Sequence, residues 1–240
     1  MKTKLVSAIF ISVLIFNSHL FGGTVSEKAK PILAKINIAL GLSKLKKVTS
    51  IKLTFTIDMP TQNLKGNGKT VITKNKVLAA IALGPMKMVS AYNGKSAWAK
   101  DMMMGIRDLK GQEALDIKIQ SIDALMNPEK YFDSIDVGEG KTIGKIKCIK
   151  LIYKKEGTYD KVYFIDEATN LPIVLETKSK SPAGDIPSIS YFKEYKTSKN
   201  GYKYASKVIV DAKVVKMEMN VTNIEFDQKV DDTIFEKPKE

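Results

Sequence analysis

Ser50-Ile51-Lys52-Leu53-Thr54-Phe55-Thr56-Ile57-Asp58 is the stretch that decides the fold. Ile51, Leu53, Phe55 and Ile57 fall at every second position with polar residues between them, the period of a pleated strand with one wet face. No helical turn could collect them on one side. The chain just before obeys a different rule. Across 25–45 the apolar residues Val25, Ala29, Ile32, Leu33, Ile36, Ile38, Ala39, Leu40, Leu42 and Leu45 recur mostly at three- and four-residue steps with lysines between, which predicts an amphipathic helix. Pro31 lies near its start, where a missing amide proton is tolerable, and Gly41 ends it or weakens its last turn.

Downstream the period of two persists. Gly66-Asn67-Gly68 reads as a turn into a second strand at 69–73, followed by strands near 76–83 and 86–91. Asn93-Gly94 is a hairpin signal leading to a strand at 96–99. Between Met102 and Tyr131 the pattern breaks, and Gln112 through Leu115, Ile119, Ile122, Leu125 and Met126 returns to helical spacing before Asn127-Pro128, predicting one or two helices. Strands resume at 145–153, 161–166, 173–178, 188–195, 204–212 and 214–226, separated by short turns that demand antiparallel pairing. The expected architecture is mainly β (α+β). About eleven antiparallel strands form one unclosed, strongly curved half-barrel, since so wide a sheet curls rather than staying flat. Helices would act as its lid or plug.

Lys2 and Lys4 precede an apolar run from Leu5 to Phe16, and small residues follow at Gly22, Gly23 and Thr24, which predicts a signal peptide over 1–23. The run falls short of the roughly 20 apolar residues that span a bilayer. No cysteine stands near the expected cleavage point, so lipidation there is excluded by chemistry. The remainder, 24–240, is read as a single periplasmic domain, and as a monomer. Cys148 stands alone in a strand-like run and reads as a small buried hydrophobe.

The net charge is +13, or +11 without Lys2 and Lys4, and of 39 basic residues only Arg107 is arginine. Sequence-specific nucleic-acid readers lean on the arginine fork, so that class is disfavoured. The lysines are spread among acids, leaving a diffuse positive field suited to transient contact with anionic membrane surfaces.

Catalysis finds little support. The sole histidine, His19, lies in the segment expected to be removed, which takes Ser-His-Asp, Cys-His and His-ligated zinc chemistry with it. No phosphate-cradling Gly-Lys-Ser/Thr loop occurs. The acid pairs nearest in sequence have bland readings: Asp231-Asp232 as a turn or helix start, and Glu113 with Asp116 as a wet helix face. No enzyme, cofactor or metal site is expected. An apolar ligand surface is, with Ile51, Leu53, Phe55, Ile57, Met217, Met219 and Val221 as its lining because each set alternates cleanly. Met86, Met88, Trp98 and Met103 join them. The triplet Met102-Met103-Met104 before Gly105 fits a mobile edge of the ligand mouth, because methionine repacks around varied apolar partners.

The order of parts resembles the LolA family of periplasmic lipoprotein carriers and the wider outer-membrane lipoprotein-sorting group. The matching stretches are Val48-Thr49-Ser50-Ile51-Lys52 after the helix, Ala91-Tyr92-Asn93-Gly94-Lys95-Ser96-Ala97-Trp98, and Tyr163-Phe164-Ile165-Asp166 running to Leu171-Pro172-Ile173-Val174. The last is Asp231-Asp232-Thr233-Ile234-Phe235-Glu236-Lys237-Pro238. The resemblance covers the whole chain after the signal segment and implies an unclosed barrel of about eleven strands, lidded by helices over a cavity for lipid or lipoprotein acyl chains. It also implies an inner-membrane donor and an outer-membrane acceptor. An envelope lipid sensor on the same scaffold is the alternative. The sequence departs from the family in one respect: the best-known carriers tie the lid with an arginine on an early strand, and here none precedes Arg107.

Overall fold

The computed structural model describes residues 23–181, 184–213 and 215–239, so the expected signal segment, Gly23 apart, lies outside the described residues. In chain order the strands are β1 (Thr24–Val25), β2 (Ser50–Met59), β3 (Leu64–Thr73), β4 (Val77–Leu83), β5 (Met86–Tyr92), β6 (Ala97–Asp101) and β7 (Gly105–Leu109). There follow β8 (Ser134–Ile143), β9 (Ile146–Lys154), β10 (Lys161–Asp166), β11 (Pro172–Ser181), β12 (Gly184–Thr197), β13 (Lys203–Asp211) and β14 (Lys216–Phe226). The α-helices are α1 (Ala29–Leu40), α2 (Gly111–Lys118) and α3 (Ile122–Met126).

All fourteen strands join one sheet in the order β1-β8-β9-β10-β11-β12-β13-β14-β2-β3-β4-β5-β6-β7. Among the described strands only the β1–β8 pair is parallel, and the two ends of the sheet do not meet. Strands β2–β7 therefore build one arm, β8–β14 with β1 at their edge the other, and β14 pairing with β2 joins them in the middle. Three strands exceed the expected eleven. β1 is two residues long, β8 carries Gly138 and Gly140 where its alternation fails, and β7 lies inside the stretch read as helical.

Gly66-Asn67-Gly68 corrects another expectation, because these residues lie inside β3 and make no turn. A Cβ on Gly68 would stand 2.3 Å from Phe55 Cε2, and one on Gly66 would stand 2.0 Å from the carbonyl oxygen of Ala82. The glycines clear room for the Phe55 ring and for the close backbone of β4 in a curling sheet. The reversal comes earlier, in a single 3-10 turn at Pro60–Gln62 closed by Asn63 at φ 52°. The expected hairpin at Asn93-Gly94 is present, with Asn93 Oδ1 accepting from the backbone N–H groups of Lys95 and Ser96.

The helix expected over 25–45 divides at Gly41. There φ is 68° and an added Cβ would lie 2.5 Å from the Gly201 carbonyl oxygen, so only glycine lets the chain turn against the β12–β13 connection. A 3-10 segment, Leu42–Lys47, completes the descent to β2. Ala29, Leu33, Ile36 and Leu40 of α1 pack into the main core with Ile51, Leu53, Phe55 and Ile57, which fixes the concave face. On the convex face, Cys148 packs with Phe164 and Val174. Burial raises its thiol above the ordinary range, as befits a buried hydrophobe.

Candidate ligand site on the concave face

Cross-strand register lays out the concave surface in rows. Ile57, Gly66, Leu83 and Met86 form one row, and Phe55, Gly68, Ile81 and Met88 form the next. On the other side of β2, Met219 stands opposite Ile57 and Val221 opposite Phe55, with Met217 two residues further along the same face. The alternation read from the sequence thus brings Ile51, Leu53, Phe55, Ile57, Met86, Met88, Met217, Met219 and Val221 to one face.

Their burial divides them. Ile51, Leu53, Phe55, Ile57, Met217 and Met219 are buried in the main core, where the helices fill the floor. Met86, Met88 and Val221 are half-buried, together with Ala79, Ile81 and Ile224. Helices α2 and α3 sit over the end of β2–β7 that holds Tyr92, where Lys118 Nζ of α2 lies 5.6 Å from the Tyr92 ring and the N–H of Asp123 donates to the Lys74 carbonyl. Met86 belongs to the opposite end of these strands.

Two expected lining residues lie elsewhere. Trp98 faces the convex side, because Ala97 and Ala99 take the concave positions of β6. It packs with Val71, Leu78, Ala91 and Phe235, and its Nε1–H donates to the Phe235 carbonyl at 2.8 Å. Met103 sits at the tip of the β6–β7 hairpin, off the floor altogether, with Met102 and Met104 beside it.

The cover shows what sequence reasoning missed. Asp116 of α2, read as part of a wet helix face, meets Lys161 of β10 at 2.6 Å, and the two side chains are only 16% and 1% exposed. Gln112 reinforces the contact, donating from Nε2 to Asp116 Oδ1 and accepting at Oε1 from the N–H of Tyr159. On the other side of α2, both Arg107 Nη groups donate to the Glu113 carboxylate, at 2.8 and 2.7 Å. This charge-assisted fork holds the guanidinium above its ordinary range. Since Arg107 belongs to β7 and Lys161 to β10, α2 is strapped to both arms of the open sheet. One readable signal existed: Lys161, Tyr163 and Ile165 share a face, so a lysine stood at an inward position of an apolar strand.

The other acids are also engaged. Asp231 Oδ1 accepts from the Thr233 N–H, and Asp232 pairs with Lys76 at 3.0 Å. Among the described residues no group of three or more His, Cys, Asp or Glu side chains is placed to hold a metal ion, and no helix is long and apolar enough to cross a membrane.

No family model matches this sequence, and no curated protein matches it. Solved structures do match its fold. A domain described as that of an outer-membrane lipoprotein-sorting protein from Vibrio parahaemolyticus superposes with a TM-score of 0.55 at 12% identity, over 84% of this chain and 95% of that one. A LolA-superfamily protein from Nitrosomonas europaea gives 0.55 at 9% identity, over 84% and 97%. A DUF1329-family protein from Desulfovibrio piger gives 0.55 at 14%, over 86% and 97%. The chain therefore has the unclosed half-barrel fold that these proteins share.

Proposed function

We propose that this chain is a non-enzymatic carrier of the cell envelope, exported and periplasmic, that holds the acyl chains of a lipid or lipoprotein on its concave face for transfer toward the outer membrane. The observation that carries this reading is the half-buried apolar rim of Ile81, Met86, Met88, Val221 and Ile224, continuous with the buried apolar floor of one curved, unclosed sheet.

Burial of a hydrocarbon chain is worth about 0.8 kcal/mol per methylene. Several methylenes laid along the rim suffice to hold a lipid in water with no catalytic group. The floor is occupied by the chain's own helices, so deeper entry requires α2 to lift: water can replace its hydrogen bonds and ion pairs, and incoming hydrocarbon can take the place of Leu115 and Ile117. Arg107 and Lys161 take the part that the resemblance assigns to an arginine on an early strand. Donor and acceptor proteins at the two membranes, and a monomeric carrier between them, complete the proposal.

Native mass spectrometry of protein purified gently from an envelope fraction tests it. An added mass that fragments to acyl chains is expected. A clean apo spectrum, with no uptake of a fluorescent fatty acid or lipopeptide in solution, would overturn the reading.

A further inference from the structure

We infer that the β6–β7 hairpin tip, Met102-Met103-Met104, is a docking element for an anionic bilayer surface. The inference rests on the carrier reading, since it assigns the end of the concave face at which cargo crosses between protein and membrane.

The three methionines are the most exposed apolar cluster among the described residues, at 73%, 52% and 52%. A soluble surface seldom leaves three consecutive large apolar side chains in water without a use for them. The loop is also built to present them. Asp101 Oδ1 accepts from the N–H groups of both Met103 and Met104 at 2.8 Å, and Gly105 closes the loop at φ 67°. Its carboxylate is thus turned onto the backbone, and the three side chains are left to project. Unbranched thioethers enter the headgroup region with little rotamer constraint.

Charge identifies the partner. Lys65, Lys87 and Lys100 lie exposed on the neighbouring strand ends, and Lys213 and Lys216 flank the β13–β14 turn. That turn reaches the same end of the sheet, since Glu218 stands opposite Asp58 on β2. The acids there are engaged: Asp58 takes up Lys65 at 3.7 Å, Glu218 pairs with Lys207 at 2.8 Å, Asp101 caps its own loop, and Asp211 accepts from the N–H of Lys213. An apolar tip inside a collar of lysines matches an anionic interface, where hydrocarbon lies beneath negative headgroups. The position matters as much. Asp101 stands opposite Met88 on β5, so the tip extends the row that holds Phe55, Ile81 and Met88. A chain leaving the bilayer beside the hairpin would meet the half-buried rim next.

Sedimentation of the full chain with vesicles of phosphatidylglycerol and phosphatidylcholine, against phosphatidylcholine alone, tests the proposal. Wild type is expected to prefer the anionic vesicles and to release as salt rises. M102S/M103S/M104S should lower partitioning at least tenfold. K87E/K100E should lower it more, at about fivefold for each charge removed and further for each reversed. Both variants alter only exposed residues, and unchanged thermal melts would verify their folding. Serine variants that bind like wild type, or a wild type indifferent to lipid charge, would overturn it. Uptake of a fluorescent acyl probe, measured without vesicles, separates the two readings. Uptake retained by the serine variant while docking is lost supports the inference, and wild type that docks but takes up no probe removes the carrier reading alone.

Discussion

Two covers lie on opposite faces of the same sheet and are fastened by different physics. On the convex face the C-terminal segment turns through a single 3-10 turn, Asp232–Phe235, and buries Phe235 completely among Val71, Leu78, Ala91 and Trp98. On the concave face α2 is strapped across the two arms of the sheet by Lys161–Asp116 and Arg107–Glu113. Withdrawing Phe235 returns a whole aromatic side chain to water, at a cost of about 2–3 kcal/mol with nothing gained in exchange. Detaching α2 exchanges protein hydrogen bonds for water ones, each worth only about 1 kcal/mol net, and withdraws Leu115 and Ile117 from the core. Incoming hydrocarbon can take the place of the side chains it withdraws. The convex cover is a seal, and the concave one is fit to open.

Truncating the seal should give the largest effect. Phe235→Ala is expected to cost about 3 kcal/mol in urea unfolding, the usual loss for a buried aromatic. Because Trp98 is the only tryptophan and lies under the C-terminal segment, its emission should shift to the red in the native state. Uptake of an acyl probe should not change. A variant that loses uptake in proportion to stability would break the distinction between the two faces.

Asp116→Ala comes next. It leaves the Lys161 ammonium buried without its carboxylate, which costs about 3 kcal/mol or less as α2 detaches and water reaches the lysine. Here the signature is reversed, with faster probe uptake and release and a Trp98 emission unchanged in native buffer. The paired replacement Lys161→Met with Asp116→Leu should restore stability, since an apolar pair of similar volume needs no desolvation. It should also slow probe exchange below wild type, because α2 is then held by contacts that water cannot replace. Stopped-flow fluorescence reads all three rates, and equal rates across the series would show that α2 plays no part in entry.

The contrast between the faces also explains what was legible beforehand. Strand β2 could be read from its own residues because one face is wet and the other buried, and the same alternation places Met217, Met219 and Val221 on the concave face. Trp98 could not be sorted in this way. In Ala97-Trp98-Ala99 every position is apolar, and its side is decided by Phe235, 137 residues away. Gly66 and Gly68 misled for a related reason. Glycine signals either a turn or a close approach, and the neighbours that make it the latter, Phe55 and Ala82, come from other strands. Asp116 looked solvated because its partner stands on a strand 45 residues later. The local period reveals which residues share a face, whereas what covers that face depends on distant segments.

The smallest expected effect concerns Asp231, which anchors the start of the C-terminal segment. The backbone N–H and the hydroxyl of Thr233 hold the Asp231 carboxyl below the ordinary carboxylate range. The ionised form therefore favours the docked segment. Its contribution is fully present above the unfolded carboxylate value of about 3.9 and fades as pH falls through the lower value of the docked state. Asp231 is fully exposed, so the effect is slight, and it should appear in Trp98 emission ahead of global unfolding. Below about pH 4 the wild-type emission should begin to redden, while Asp231→Asn, which keeps an acceptor but cannot titrate, should hold a flatter profile. Acyl-probe uptake over the same range should not follow the Trp98 signal. If the two titrate together, the convex and concave covers are coupled through the sheet, and their independence fails.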